Sequence, residues 1–352
     1  MKRKIKVAVG ISGGVDSALA AALLKEKGYN ITGIFLECWN EPGCRTDDDR
    51  KDALKVALKL KIPFKVLDFK KEYRQKVVDW FYRQYQKGRT PNPDIVCNRE
   101  IKFGIFYDWV VKNGFNFMAT GHYARLQRLR RSAGGQARLL RSADANKDQT
   151  YFLALLKEKQ LKKVLFPIGH LKKKQVRREA KKRGLPVWDK KDSTGICFIG
   201  NDYSFSEFLQ RRIKPHAGEV VDKKGKMIGL HQGIEFYTIG QRHGFKVNPH
   251  STSSAPLFVV SKNARKNLLT VGSRKDLAKK EFEVEKWQWI SSGPGLRDRI
   301  LQVRIRHRGE LVGAKIIGKK VRLSKPVFGV ASGQVAVVYD ELECLGGGVI
   351  VE

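Results

Sequence analysis

Residues able to bind phosphate stand near the start of the chain, where positions 10–17 read Gly-Ile-Ser-Gly-Gly-Val-Asp-Ser. A strand-like apolar run precedes this loop and a helical pattern follows it, so unpaired backbone N–H groups and the positive end of a helix dipole point at one spot. Gly13 and Gly14 lack a Cβ and let phosphate oxygens come close, while Asp16 can orient magnesium and Ser17 can add a hydroxyl donor. No Lys followed by Ser or Thr ends the loop, so it is not of the Walker type. A serine-capped strand-to-helix turn is the alternative interpretation.

One cysteine stands where a helical pattern begins. Cys97 precedes a predicted helix over residues 100–112, and the helix N-terminus together with Arg99 and Lys102 is expected to lower the pKa of its thiol. Asp94 lies three residues earlier and can exchange a proton if the turn folds it back. A buried structural cysteine is the alternative.

A second candidate thiol, Cys197, lies between lysines and small residues in a predicted loop over residues 189–200. Two such cysteines and an ATP-activating loop fit one chemistry, in which ATP turns a carbonyl oxygen into a leaving group and a sulfur nucleophile replaces it. Cys38 and Cys44 form a Cys-x5-Cys pair without a second pair, which is a weak metal signature. We therefore expect no resident metal.

The composition indicates a polyanionic partner. The 352 residues include 70 Lys and Arg against 35 Asp and Glu, a formal net charge of +35, which favours RNA or DNA as partner. A generally basic proteome is the alternative. Five widely spaced cysteines do not form a secreted disulfide framework and indicate a reducing cytoplasm. The sequence holds no apolar run of membrane-spanning length and no signal-peptide pattern, so no membrane association is expected.

The elements that must position these residues alternate between strand and helix up to residue 207. Strands are predicted at 5–9, 31–36, 64–69 and 116–120 and helices at 52–60, 72–86, 100–112 and 172–183, which together indicate an α/β domain with a doubly wound parallel sheet. A polar loop over 38–49 is expected beside the nucleotide, an arginine-rich hairpin over 123–141, and an extended, proline-stiffened segment around Pro91 and Pro93. The basic helix at 172–183 favours phosphate contact.

After residue 208 the pattern changes to short β-like runs with frequent glycine. Runs at 218–221, 226–229, 236–239, 257–260 and 268–271 predict a small β-rich middle domain over residues 208–279. Runs at 282–290, 300–308, 311–317, 320–323 and 334–339 predict a C-terminal antiparallel β-barrel over residues 280–352. In that barrel, Arg304, Arg306 and Arg308 are expected to share one face of a strand.

With these residues in view, positions 10–17 resemble the PP-loop of the ATP pyrophosphatases. Further strings at 90–100, 119–123, 147–153, 192–200, 240–244 and 344–348 make nearly the whole chain similar to the bacterial tRNA-specific 2-thiouridylases. The resemblance implies ATP-dependent 2-thiolation of the wobble uridine of tRNA, with release of AMP and pyrophosphate. It also implies Mg²⁺ accompanying ATP, a sulfur-carrier protein that supplies persulfide sulfur, and a monomer.

The same resemblance implies a role for particular residues. Cys97 matches the nucleophile, Cys197 the persulfide-bearing cysteine, and Asp94 the group that handles protons; a Cys97–Cys197 disulfide would form and then require reduction. ATP would contact Gly10, Ile11, Ser12, Gly13, Gly14, Val15, Asp16, Ser17, Leu36 and Gly121. The target base would meet Asn92, Pro93 and Asp94, and the rest of the tRNA would meet Lys147, Asp148, Gln149, Arg306 and His307. The pair Arg306-His307 stands where the family often has Arg-Tyr.

Two other functions remain open on the sequence. An amide-forming PP-loop ligase would use the same ATP loop, but amidation needs no pair of cysteines. A non-enzymatic RNA-binding protein would need only the positive charge, and the loop at 10–17 would then have no explanation.

Overall fold

The first domain is built on a five-stranded parallel sheet. The computed structural model describes residues 4–41, 44–128, 137–192, 195–199, 203–248, 256–290 and 301–351. The strands of the sheet are β1 (Lys6–Gly10), β2 (Asn30–Glu37), β3 (Phe64–Asp68), β4 (Phe117–Ala119) and β7 (Val164–Leu165). A hairpin of β5 (Ala124–Arg128) and β6 (Ala137–Arg141) leaves the domain between β4 and β7. Its tip, residues 129–136, lies outside the described residues.

Helices flank this sheet. They are α1 (Val15–Glu26), α2 (Thr46–Lys59), α3 (Lys70–Tyr73), α4 (Asp79–Gln86), α5 (Pro93–Val96), α6 (Phe106–Lys112), α7 (Thr150–Leu153), α8 (Glu158–Leu161), α9 (Lys173–Lys182) and α10 (Phe205–Gln210). Two π-helical segments, Arg74–Val78 and Cys97–Ile105, join α3 to α4 and α5 to α6. Within the described part of the chain, no helix combines the length and apolarity needed to cross a membrane.

The strand order β3-β2-β1-β4-β7 places β1 at the centre, with parallel neighbours throughout. Val7, Ala8 and Val9 are fully buried, which explains why the β1 sequence is an uninterrupted apolar run. The segments that follow β1, β2 and β4 therefore meet at the carboxyl edge of the sheet, where ligands of such folds bind. The predicted doubly wound α/β fold is confirmed.

Two predicted boundaries in this domain are wrong. The helix predicted at 100–112 begins at Pro93, because proline suits the first helical position and the Asn92 side chain caps the helix, accepting the Ile95 N–H at 3.2 Å. The loop predicted over 38–49 is shorter, since α2 begins at Thr46. Its first turn holds three aspartates, Asp47, Asp48 and Asp49, which the helix dipole favours.

The middle domain is a five-stranded sheet in the order β10-β9-β8-β12-β11. Its strands are β8 (Gly218–Val221), β9 (Met227–His231), β10 (Lys246–Val247), β11 (Phe258–Asn263) and β12 (Leu268–Gly272). The strand predicted at 236–239 is wrong, because Ile234–Phe236 forms a 3₁₀ helix with buried Ile234 and Phe236. A short apolar run does not distinguish a strand from one buried helical turn.

Six strands close the C-terminal barrel, as predicted. They are β13 (Ala278–Trp289), β14 (Leu301–Arg304), β15 (Val312–Ile317), β16 (Lys320–Phe328), β17 (Val335–Asp340) and β18 (Glu343–Val351), with closure through the β13–β18 pairing. The predicted arginine face is wrong: β14 ends at Arg304, and Arg306 and Arg308 lie in the following turn, where Arg308 has φ +58°. The domain limits at 207 and 279 stay predictions; the first falls inside α10 and the second inside β13.

A buried ion cluster joins the barrel to the first domain. The Asp148 carboxylate has no exposed surface and lies 3.3 Å from the Arg304 guanidinium and 3.4 Å from that of Arg141. It also accepts a hydrogen bond from the Thr150 hydroxyl at 2.9 Å. Hairpin strand β6 pairs with β18 beside this cluster, with Cys344 opposite Leu139. Asp148 is therefore a structural anchor, and its burial does not fit the predicted direct contact with tRNA.

Removing that carboxylate is expected to destabilise the fold. Asp148→Ala leaves Arg304 buried without its carboxylate partner, which costs about 3 kcal/mol in buried ion pairs. Urea and thermal unfolding followed by tryptophan fluorescence measure the loss. Asp108→Ala, at an exposed position of α6, is the control and should change stability by no more than about 0.5 kcal/mol. Equal stability of the two variants would contradict the anchoring role.

Candidate functional site

The loop between β1 and α1 is shaped as an anion cradle. The Ser17 hydroxyl donates to the Gly14 carbonyl at 3.0 Å and accepts the Ser12 N–H at 3.1 Å, which fixes the loop. Gly13 has φ +74°, and a Cβ there would collide with the backbone of Asp49. Within the described residues, the N–H groups of Gly13, Gly14 and Val15 donate to no other group, so they remain available to phosphate oxygens.

The other residues predicted to contact ATP lie at the same edge. Gly121 follows β4, and a Cβ at this position would come within 2.6 Å of the Ser17 backbone nitrogen, so only glycine fits. Leu36 is half-buried near the carboxyl end of β2, the strand that pairs with β1. The structure thus brings residues 10–17, Leu36 and Gly121 together. Whether ATP touches each of them stays a prediction.

Asp16 leads from this loop into a network of charged side chains. Its carboxylate accepts hydrogen bonds from the Tyr123 hydroxyl at 2.8 Å and from the Lys173 ammonium at 2.7 Å. Lys173 also lies 2.8 Å from Asp192, which in turn binds Lys147 at 2.5 Å. Burial opposes the charge on Asp192, but the hydrogen bonds from Lys147 and Lys173 lower its pKa to about 2. We call Asp16, Lys173, Asp192 and Lys147 the Asp192 junction.

The junction joins three segments that are distant in sequence. Asp16 belongs to the ATP loop, Lys147 to the segment predicted to meet tRNA, and Asp192 to the segment that leads to Cys197. Arg177, on the basic helix α9, reinforces the junction at 2.9 Å from Asp192. The predicted basic helix at 172–183 is confirmed as α9; the tRNA contact of its exposed face stays a prediction.

The candidate catalytic residues converge in one recess. The charges of Cys197, Asp94 and Lys102 all act on the Cys97 thiol, and Cys38, directly after β2, is in the same electrostatic neighbourhood. We call Asp94, Cys97, Lys102, Cys197 and Cys38 the cysteine recess. Cys197 is exposed and Cys97 half-buried. Cys97 and Cys38 pack at the border of the cluster formed by Tyr73, Phe81 and Phe198.

The predicted low thiol pKa is wrong for both cysteines in this state. Burial raises the pKa of Cys97 to about 12 although Lys102 acts in the opposite direction, and the protein atoms around the Cys197 sulfur raise the pKa of that thiol although the residue as a whole is exposed. Because the helix begins at Pro93, Cys97 lies inside it and does not face its N-terminus. Arg99 contributes no charge to the thiol, since its guanidinium pairs with Glu100 at 2.8 Å.

The residues predicted to meet the target base lie beside Cys97 in the sequence and differ in burial and hydrogen bonding. Burial raises the pKa of Asp94, partly offset by Lys102, so this carboxyl can hold a proton nearer to neutral pH than an exposed aspartate. Asn92 is half-buried and its side chain is occupied as the helix cap, while Pro93 is buried. Asp94 is therefore the member of the three whose side chain is placed for proton transfer.

Two further side chains at this edge had little or no sequence signal. Lys102 was expected only as a neighbouring charge, yet its charge acts on Asp94, Cys97 and Cys197. His122 is buried, its Nδ1 lies 2.8 Å from the Thr120 hydroxyl, and burial together with Lys102 lowers its pKa far enough to keep it neutral. The charge of Lys102 thus acts both on the cysteines and on His122, which follows β4.

The predicted tRNA contacts separate into different environments. Lys147 is half-buried in the Asp192 junction, and the Gln149 side chain accepts the Tyr123 N–H at 2.9 Å. Arg306 is exposed. The His307 ring packs at a tilt against Phe152 with centroids 4.3 Å apart, and burial with the nearby cations Arg308 and Arg304 lowers its pKa to about 4. His307 is consequently a neutral aromatic surface, as the family's tyrosine would be.

The described residues contain no group of three or more His, Cys, Asp and Glu side chains arranged to hold a metal ion. Cys44 is hydrogen-bonded to the Thr46 hydroxyl at 2.8 Å, at the start of α2. Mg²⁺ in nucleotide sites takes one or two carboxylates and completes its shell with phosphate and water oxygens. Asp16 supplies one carboxylate beside the cradle, but both of its oxygens accept from Lys173, so Mg²⁺ that arrives with ATP stays a prediction.

Comparison with known proteins extends over the full chain. The family profile described as tRNA methyl transferase HUP domain matches residues 5–201, the tRNA methyl transferase PRC-barrel domain matches 206–273, and the aminomethyltransferase beta-barrel domain matches 279–350. The tRNA-specific 2-thiouridylase MnmA of Pediococcus pentosaceus is 40% identical over 99% of this chain and 95% of its own length. The MnmA of Nitrosomonas eutropha is 41% identical over 99% of both chains.

The solved structure of the U34-tRNA thiolase NcsA from Methanococcus maripaludis aligns with 59% of this chain and 62% of its own, at 22% identity and a TM-score of 0.36. The first two domain profiles are described as tRNA methyl transferase domains, whereas the full-length relatives are named tRNA-specific 2-thiouridylases. Those relatives match the whole chain at 40% identity or more, and two cysteines in one recess suit sulfur chemistry. The chain therefore belongs to the tRNA-specific 2-thiouridylase family.

Proposed function

We propose that this chain is an ATP-dependent sulfurtransferase that replaces the 2-oxygen of the wobble uridine of tRNA with sulfur. The observation that carries this proposal is the cysteine recess, which gathers Cys97, Cys197 and Asp94 at the edge where the ATP loop lies. The names of the full-length relatives support the same reaction. Neither an amide-forming ligase nor a simple RNA-binding protein needs this pair of thiols.

The first step activates the base. The free N–H groups of Gly13, Gly14 and Val15 hold phosphate oxygens, and Lys173 lies beside them at Asp16. The uridine 2-oxygen attacks the α-phosphorus of ATP, the bond to the bridging oxygen breaks, and pyrophosphate leaves with the electron pair. The 2-oxygen now carries AMP and has become a leaving group. The base must first leave the anticodon stack to reach this edge.

The second step transfers sulfur. Cys197 carries a persulfide, whose terminal sulfur attacks C2 of the activated base, and AMP leaves with the electrons of the C–O bond. The Cys97 thiolate then attacks the Cys197 Sγ, which breaks the S–S bond to the nucleotide and releases 2-thiouridine. Asp94 accepts the Cys97 proton. A Cys97–Cys197 disulfide remains, and an external thiol must reduce it before the next cycle.

The partners follow from the accessibility of these groups. Cys197 is exposed, so a sulfur-carrier protein can reach it to load the persulfide. The tRNA would lie along the basic surface, including the exposed Lys174, Arg178 and Lys182 of α9. We further propose that the enzyme acts as a monomer in the cytoplasm, where a reducing environment keeps its five free cysteines reduced.

One assay separates the three candidate functions. The protein is incubated with unmodified tRNA, ATP, Mg²⁺ and a persulfide or sulfide source, and both pyrophosphate and the digested nucleosides are measured. Thiolation predicts pyrophosphate together with 2-thiouridine. An amide-forming ligase predicts pyrophosphate without a thionucleoside, and a non-enzymatic RNA-binding protein predicts neither product.

Replacing either cysteine of the proposed pair should abolish the product. Cys97→Ser and Cys197→Ser each remove one sulfur of the relay, so 2-thiouridine should disappear while tRNA affinity stays within a few-fold of wild type. Nucleoside mass spectrometry and a filter-binding assay measure the two quantities. Cys44→Ser is the matched control and should remain active, since the hydroxyl preserves the contact with Thr46. A wild-type rate of thiolation by either Cys97→Ser or Cys197→Ser would contradict the two-cysteine mechanism.

The ATP loop should be separable from RNA binding. Asp16→Ala removes the carboxylate beside the cradle and releases Lys173 and Tyr123, so AMP formation should fall by at least tenfold while tRNA affinity is retained. Thin-layer separation of radiolabelled ATP products measures the rate, with Asp108→Ala as the control. An unchanged rate of AMP formation would remove Asp16 from the nucleotide site.

The Asp192 junction should matter more for sulfur transfer than for ATP cleavage. Asp192→Asn removes the charge that holds Lys173 and Lys147, so the segment leading to Cys197 loses its anchor. We expect 2-thiouridine formation to fall about tenfold and tRNA-stimulated pyrophosphate release to fall less. Because the pKa of Asp192 is about 2, the ratio of the two rates should not change between pH 6 and 8. A variant with both rates equal to wild type would show that the junction has no such role.

A further inference from the structure

The helix that carries Cys97 has an unusual register. The segment Cys97–Ile105 is a π-helix, which ends where the Phe106 N–H donates to the Ile101 carbonyl. In an α-helix, a side chain five residues on is rotated by about 140° from the first. The i→i+5 bonding of a π-helix widens the turn and brings position i+5 back toward the same face, and such segments concentrate at functional sites. The π-helix therefore brings Lys102 closer to the face that carries Cys97 than an α-helix would, in agreement with the electrostatic effect of Lys102 on that thiol.

Lys102 faces this recess as a cation without a counterion. The described residues provide it with neither an ion pair nor a hydrogen bond, whereas Arg99, on the same segment, is neutralised by Glu100. Lys102 is half-buried, so water screens its charge less than that of an exposed lysine. Burial disfavours its charge, but the anionic forms of Cys97, Cys197 and Asp94 outweigh that cost and raise its pKa. It is a fixed positive charge rather than a proton donor.

We propose that Lys102 stabilises the anionic sulfur species of the transfer reaction, both the persulfide anion on Cys197 and the thiolate of Cys97. This role rests on the proposed function. When the persulfide sulfur bonds to C2, AMP departs with the C–O electron pair; when the Cys97 thiolate bonds to the Cys197 Sγ, the electrons of the old S–S bond leave on the sulfur of 2-thiouridine. Each attacking sulfur is negative beforehand, and Lys102 is the cation next to both. No oxidant or further co-reactant enters either step.

The chemistry requires such a charge. Several groups disfavour the Cys97 thiolate or interact with it electrostatically: Asp94 from α5, Cys197 from the segment 195–199, Cys38 after β2, and Tyr73 of α3. Burial acts in the same direction. Among the described charges that act on this thiol, Lys102 alone favours the anion. Removing it should therefore make both cysteines weaker nucleophiles at any given pH.

Alkylation kinetics test this role without using tRNA or ATP. The full chain is treated with iodoacetamide between pH 7 and 10, and the modification of Cys97 and Cys197 is followed by peptide mass spectrometry. Lys102→Met should slow alkylation of Cys97 by at least about tenfold and shift its pH profile upward, since a tenfold loss of thiolate corresponds to one unit of pKa. Lys102→Arg should restore most of the rate. Lys112→Met, at the exposed end of α6, should alkylate like wild type.

Asp94→Asn should change the alkylation rate of Cys97 in the opposite direction. The Asp94 charge disfavours the thiolate, so its removal should accelerate alkylation of Cys97. A variant that merely loosened the recess would accelerate alkylation in both cases, because both would expose the thiol. Wild-type kinetics in Lys102→Met, or faster alkylation in both Lys102→Met and Asp94→Asn, would overturn the proposal. If Lys102→Met fails to fold, the alkylation rates of Lys102→Gln and Asp94→Asn test the proposal in its place.

A single-turnover assay connects the charge to sulfur transfer. Enzyme carrying a preformed persulfide is mixed with tRNA and ATP, and pyrophosphate and 2-thiouridine are both followed. Lys102→Met should release pyrophosphate at nearly the wild-type rate and form 2-thiouridine at least tenfold more slowly. An unchanged rate of 2-thiouridine formation would overturn the role in transfer. If wild type makes no 2-thiouridine, the proposed function fails, while the alkylation result still decides whether Lys102 activates the thiols.

Discussion

The candidate site depends on the carboxylate of Asp192, which binds two ammonium groups brought from distant parts of the chain. Lys173 lies 2.8 Å from it and Lys147 lies 2.5 Å from it, and Lys173 also binds Asp16 at 2.7 Å. Because this one carboxylate contacts both ammonium groups, it links the segments that carry them, and its removal would take a shared counterion from Lys147 and Lys173. The ATP loop, the segment at 147–149 and the segment leading to Cys197 are therefore held in one arrangement. The segments proposed for ATP activation and for sulfur delivery therefore share this carboxylate.

The cysteine recess protects the thiols from unwanted oxidation and alkylation and still allows them to react. A thiol with a pKa near 7 would be largely ionised in the cell and open to oxidation and alkylation. Burial keeps Cys97 protonated until its partners arrive, and Lys102 limits the cost of forming the anion when it is needed. The same ammonium helps keep His122 neutral. The charge of Lys102 thus shifts the pKa of groups on three different segments, although burial is the larger cause at each.

The sequence predicted the architecture better than it predicted the electrostatics. The central parallel sheet and the barrel follow from local periodicity, which the burial of Val7, Ala8 and Val9 reflects directly. The cysteine pair and the ATP loop could be identified because the resemblance matches residue types at particular sequence positions. Such a match holds even where the predicted helix boundaries are wrong. The thiol pKa could not be predicted, because it depends on where the helix begins and on the π-helical turn after Cys97. No local pattern in the sequence of residues 93–105 predicts the wider turn of the π-helix.

The Asp192 junction was equally invisible in the sequence, since its directly paired members are separated by up to 157 positions and ion pairing leaves no periodic pattern. Arg304, Arg306 and Arg308 show the opposite error. Alternation suggested one shared face, but the strand ends at Arg304, which turns inward to Asp148. Long-range charge pairing decided both cases, and it becomes apparent only in three dimensions.

Lys147 and Asp148 show how the barrel and the catalytic edge are held in one register. These consecutive residues point to opposite partners: Lys147 binds Asp192 at 2.5 Å, and Asp148 binds Arg304 of β14 at 3.3 Å. Arg304 is followed directly by the turn that carries Arg306 and the ring of His307. Because Lys147 and Asp148 share a peptide bond, a shift of this barrel turn relative to the sheet would pull on the segment that anchors Asp192. The barrel turn with Arg306 and His307 is thereby linked to the loop at 10–17 through short charged contacts, of which Asp148–Arg304 is buried and Lys147–Asp192 half-buried.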